Sequence, residues 1–155
     1  MSNGAMWRHF RSRADLLVAA TLQSMRALRE LQPEPAMDAM PPAIRLDATV
    51  DRLCALPNEP PFQALIELLL ASRTDDELRV QLAATDRDAG DLFFESVARL
   101  VGPGLAAHPH FRRNVRAIAL NLYGAALTAG LRAPTSDDQL SGELRELARG
   151  MFGFG

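Results

Sequence analysis

The sequence predicts an all-α protein. β-Branched residues are sparse, and no segment alternates apolar and polar residues as a half-buried strand does. Apolar residues instead recur at three- and four-residue spacing along most of the chain. The stretches between those runs carry prolines, which cannot continue a helix and disfavour helical geometry at the residue before them.

Taken in order, the chain opens on a short helix that Ser2 or Asn3 can cap, since both side chains accept hydrogen bonds from free N–H groups. A turn at Arg11-Ser12 follows. Ser12 and Asp15 then form a capping box for a longer helix from Arg13 to about Leu31, with Leu17, Ala20, Ser24, Leu28 and Leu31 in one stripe. The segment QPEPAMDAMPP (32–42) ends it. A helix over 44–56 turns Leu46, Val50 and Leu53 inward, and PNEPP closes it. Phe62, Leu65, Ile66 and Leu69 mark the next, over 62–73. Thr74 with Glu77 reads as a capping box for a long helix over 75–101, whose apolar face is Leu78, Leu82, Phe93, Val97 and Leu100. Gly90 weakens its middle by about 1 kcal/mol relative to alanine and is a candidate bend. GPG (102–104) stops it. His108-Pro109 starts a helix reaching Leu131, with proline in the first turn where it is tolerated. Ser136 with Gln139 caps a last helix to about Met151, and the terminal GFG is expected to fray.

The chain has 155 residues, 48% apolar and 23% charged, which is ordinary for one globular domain able to bury a real core. The single cysteine, Cys54, excludes an internal disulfide framework and fits a reducing cytoplasm. No apolar run follows the early basic residues as in a signal peptide. The longest uncharged run, Ala117–Leu131, falls short of the roughly 20 residues that span a bilayer. The expectation is a soluble, cytoplasmic protein with no membrane partner.

Run 117–131 is apolar nearly all round, where a surface helix shows one polar face. Such a helix needs cover on two sides, and a second subunit is the expected source of one. Gly124, Ala125, Ala126 and Ala129 permit close helix approach, and a symmetric pair is the commonest oligomer.

Charge is uneven. Residues 1–29 hold five arginines against Asp15, a balance of +4; the remainder holds twelve arginines against eighteen acids, −6, for the net −2 of the whole. A basic head on an acidic body predicts that the head meets a polyanion. Met6 and Phe10 share one face of the short helix and call for a core. Asn3, Trp7, Arg8 and Arg11 point elsewhere. Asn suits adenine, Arg suits guanine or phosphate, and an aromatic ring suits sugar or a thymine methyl. Arg13 sits at a helix start, where backbone N–H groups also favour a phosphate.

The run SNGAMWRHFRSRADLL resembles the signature of the TetR family of bacterial transcriptional regulators, roughly Ser-x-Gly-x-Leu-Tyr-x-His-Phe-x-Ser-Lys-x-x-Leu. It is matched here by Ser2, Gly4, Met6, Trp7, His9, Phe10, Ser12, Arg13 and Leu16. Met for Leu, Trp for Tyr and Arg for Lys are mild departures. FQALIELLLASRTDDELRVQL and HPHFRRNVRAIALNLYGAALTAGL are similar in style to the family's helical C-terminal domain.

The resemblance implies that residues 1–31 are a partial helix-turn-helix and connecting helix, and that 32–155 form a ligand-binding and dimerisation domain. It implies DNA contacts from Asn3, Gly4, Ala5, Trp7, Arg8, His9 and Arg13. Asn3 and Arg8 would read bases, and Trp7 and His9 would hold phosphates. It further implies a homodimer through the last two helices, operator DNA as partner, and an effector that pulls the two heads out of register. Family members place two helices before the recognition helix, and this sequence opens at that helix. The expectation is a truncated head that binds DNA weakly or not at all. The alternative is a headless helical dimer that binds a small apolar ligand or sequesters full-length relatives without touching DNA.

The candidate effector pocket lies between helices, lined by Phe62, Ile66 and Leu69 on one and Phe93, Phe94 and Val97 on the next. Asn121 and Tyr123 are the polar groups of an apolar helix that can orient a small apolar ligand. No catalytic site is expected, because Cys54, Ser96 and Tyr123 lack partners arranged for nucleophilic chemistry. No metal or other cofactor is expected either. His108-x-His110 reads as a helix start, and the aspartates of 75–77 and 86–91 read as helix-start and surface charges.

Overall fold

The computed structural model describes residues 32–128 and 137–154, together with Ala19, Leu22, Gln23 and Glu30. Among the described residues every regular element is helical and there is no strand. The short helix expected at residues 2–11 lies outside them, as does nearly all of the helix expected over 13–31.

Residues 32–40 enter as a 3-10 turn, Pro35–Ala39, that buries Met37. Helix α1, Pro42–Ala55, opens with proline in its first turn, where the missing N–H costs nothing. A second 3-10 turn, Leu56–Asn58, leads to α2, Pro60–Ala71. Helix α3, Asp76–Val101, is the longest. It is continuous through Gly90, so the expected bend is absent. Its cap is Asp75, whose carboxylate accepts from the Leu78 N–H at 2.9 Å. The Thr74 hydroxyl instead donates to the Ala71 carbonyl, so the expected Thr74–Glu77 box is replaced by an acceptor one residue later.

Gly102 ends α3 at φ 82°, a conformation that a Cβ makes costly. A four-residue helix not expected from the sequence, α4 (Pro103–Ala106), turns the chain into α5, Phe111–Thr128. Helix α6, Asp137–Phe152, completes the described chain.

Helix α1 is the hub, and its sequence says why. Leu46, Val50 and Leu53, spaced by four and three, are each 1% exposed and form its core face. They pack with Val97 and Val101 of α3, Val115, Ile118 and Leu122 of α5, and Leu144, Ala148 and Phe152 of α6. A smaller cluster of Leu68, Leu78 and Leu82 joins α2 to the start of α3. On α2 the inward position falls to Leu68; Leu69, expected inside, is exposed. Leu68 is the one of the two adjacent leucines that meets Leu78 and Leu82 of α3.

Candidate functional site

Between α1, α2, α3 and α5 lies an apolar cavity of about 30 Å³. Its walls are Leu53 and Leu56, Pro57, Phe62 and Ile66, Phe93, and Ala119, Leu122 and Tyr123. Four of the residues predicted to line a pocket meet here: Phe62, Ile66, Phe93 and Tyr123. Four do not. Val97 is buried in the main core, and Leu69 faces outward. Phe94 is buried in the main core and borders a neighbouring cleft instead, because adjacent helical residues diverge by about 100°. Asn121 is exposed, and its amide donates to the Ala117 carbonyl of its own helix at 2.9 Å, so it does not point a polar group into the cavity. The sequence reading missed Leu53, Leu56, Pro57, Ala119 and Leu122. Ala119, Leu122 and Tyr123 share one face of α5 by their three- and four-residue spacing, a signal hidden because that whole stretch is apolar. The cavity is far below the ~300 Å³ of a typical ligand pocket, so a larger occupant requires its walls to part.

The cavity is bounded by a helix that ionic contacts hold on two sides. Arg45 and Arg52, seven apart, share one face of α1. Arg45 is buried; it donates to the carbonyls of Leu100 (2.6 Å) and Arg99 (3.1 Å) and to the Asp38 carboxylate (3.0 Å). Arg52 donates to the Gln32 carbonyl at 2.8 Å. The segment 32–38 is thus held along α1 at both ends. Asp47 and Asp51, four apart, occupy another face and meet α6. Asp51 accepts from the Ser141 hydroxyl (2.6 Å) and from Arg145 Nε (2.7 Å). Asp47 takes Arg149 in a two-pronged pair, Nε at 2.9 Å on one oxygen and Nη2 on the other. Hydrogen bonds and then the charges of these aspartates raise the pKa of Arg145 and Arg149 above the usual arginine value.

On the outer side of α5, Leu120 (64% exposed), Gly124 and Leu127 (46%) form an apolar stripe, with Leu147 of α6 also exposed. The helix expected to be covered all round is therefore bare along one side of the single chain.

A wider cleft of about 470 Å³ opens between α3 and the start of α5, lined by Phe94, Glu95, Ala98, Ala106 and the run His108–Arg113. His108 and His110 lie in it with ring centroids 5.9 Å apart. Among the described residues no three His, Cys, Asp or Glu side chains gather as metal ligands. No described helix is long and apolar enough to cross a membrane. Cys54 packs half-buried against the main core. The predicted DNA contacts Asn3, Gly4, Ala5, Trp7, Arg8, His9 and Arg13 lie outside the described residues.

No family model matches this chain, and neither does any curated protein or solved structure.

Proposed function

We propose that this protein is a TetR-like transcriptional regulator, a cytoplasmic repressor that works as a homodimer and responds to a small apolar effector. The observation that carries the reading is the Ser2–Leu16 sequence pattern, which brings Asn, Trp, His and Arg together in one short basic run. Two features of the body support it. An apolar cavity lies among α1, α2, α3 and α5. The stripe of Leu120, Gly124 and Leu127 on α5, beside α6, suits a four-helix contact with a second copy.

The mechanism is binding and release, with no covalent chemistry. An effector entering the cavity displaces Leu53 and Leu56 and so shifts α1. Because Arg45 and Arg52 tie segment 32–38 to α1, that shift passes to the residues leading out of the basic head. Two heads on one dimer then lose the spacing an operator requires.

Fluorescence anisotropy with DNA from the protein's own promoter, over a series of salt concentrations, tests this. Binding that weakens steeply with salt, and that Arg8→Ala reduces, supports the regulator. Dimers that bind apolar ligand while ignoring DNA at every salt concentration favour the headless alternative.

A further inference from the structure

We propose that the cleft between α3 and the start of α5 is a separate ligand site, for a small aromatic carboxylate. It is independent of the regulator reading. Its volume, about 470 Å³, falls in the range of small-molecule sites. It shares no lining residue with the apolar cavity: Phe93 lines one and Phe94 the other.

The lining is chemically mixed in a particular way. Arg112, Arg113, His108 and His110 line the cleft, and Glu95 is the one carboxylate among the lining residues. This is a local excess of cationic and hydrogen-bonding groups in a chain of net charge −2. The apolar lining includes the rings of Phe94 and Phe111. Arg112 is already fixed. Its guanidinium carbon sits 4.2 Å from the centroid of the Phe94 ring, and its Nη2 holds Asp91. His108 is fixed too: its Nδ1 accepts from the His110 N–H at 3.2 Å, and its ring stands edge-to-face against Phe152 at 5.2 Å. Groups held in place lose little freedom when a ligand arrives. A flat ring would lie on the exposed Arg112 guanidinium, which Phe94 backs, while its carboxylate meets the fork of Arg113, which is exposed and suited to two-pronged carboxylate binding.

The test is a titration of the whole chain with 2-naphthoate and, separately, with 2-naphthol, which keeps the ring and lacks the carboxylate, read by saturation-transfer NMR. Naphthoate should bind at least about fivefold more tightly than naphthol, the effect of one charge-assisted contact. Arg113→Gln should weaken naphthoate by at least about fivefold, and Glu95→Gln should strengthen it, with naphthol unchanged by either. Both residues are exposed, so the fold should survive, which a circular dichroism melt checks. Equal binding of the two compounds overturns the proposal. So does a smaller loss with Arg113→Gln, a Glu95→Gln variant that does not strengthen binding, or no naphthoate binding at millimolar concentration.

Discussion

Arg45 on α1 donates its Nε to the carbonyl oxygen of Leu100 at the end of α3, 2.6 Å away and across 55 residues of chain. It does the work of a C-terminal cap, since the last carbonyls of a helix have no partner within it. Gly102 makes room for it: a Cβ built there would stand 2.9 Å from the Arg45 Cζ, at φ 82°.

Gly102→Ala should therefore destabilise the protein by about 2 kcal/mol, from both the positive φ and the contact with a buried guanidinium. Arg45→Met should cost about 2–3 kcal/mol by leaving two carbonyls without their donor. A thermal melt should show each as a fall in Tm of about 4–8 °C per 2 kcal/mol. Gly90→Ala should move the other way, by up to about 1 kcal/mol, because it lies within α3 and a Cβ there meets nothing within 4 Å. Melting the three variants side by side separates backbone preference from packing.

The difference between these glycines also marks what the sequence made legible. Helix positions followed from spacing and proline, because both act locally. Leu46, Val50 and Leu53 were identifiable as core residues for that reason, and half of the predicted pocket residues reached the cavity. What the spacing could not supply was the facing of neighbours. Leu68 or Leu69, and Phe93 or Phe94, are equivalent to a periodicity argument until the angle between α2, α3 and α5 is known. The α3 carbonyls that Arg45 holds and the α6 partners of Asp47 and Asp51 were invisible too, since they lie 54 to 102 residues away in the chain. The proposed readout of DNA bases rests on residues 3–13, where only residue type and resemblance speak.

The two aspartates of α1 make a graded prediction. Asp47 is the more enclosed, its side chain 15% exposed against 42% for Asp51. Asp47→Ala should lower Tm more than Asp51→Ala, and added salt should shrink the smaller effect more. The pH dependence follows from the arginines. A folded-state pKa raised above the unfolded value gives stability that is complete below the unfolded value and lost only at higher pH. Arginine's ordinary value is already strongly alkaline, so a melt repeated across the neutral range should show no change from Arg145 or Arg149.

Leu120 offers the test of subunit pairing. At 64% exposure it contributes little to the single chain, so Leu120→Glu should leave the helical circular dichroism spectrum unchanged. In a dimer it would place a carboxylate, and its partner's carboxylate, in an apolar seam, which is costly without a partner cation. Light scattering after size exclusion should then report half the mass of the parent protein. A parent protein that is already monomeric would remove the homodimer from the proposed function.

Phe93 and Phe94 are neighbours in sequence whose rings meet edge to face at 6.0 Å, yet only Phe93 lines the cavity, and that difference tests it directly. Phe93 lines the apolar space with Phe62, Ile66 and Tyr123, whereas Phe94 backs the Arg112 guanidinium in the cleft. Removing the Phe93 ring should cost about 3 kcal/mol, part of it the void left behind. A void lined by leucine, isoleucine and phenylalanine stays dry and takes up small apolar molecules. Phe93→Ala should therefore regain Tm when benzene is added, through simple linkage between binding and folding. Phe94→Ala should also lose stability, but with less recovery in benzene, because the space it opens borders the cleft and the Arg112 guanidinium as well as the core. Equal recovery by the two variants would mean that the space left by Phe94 joins the apolar cavity.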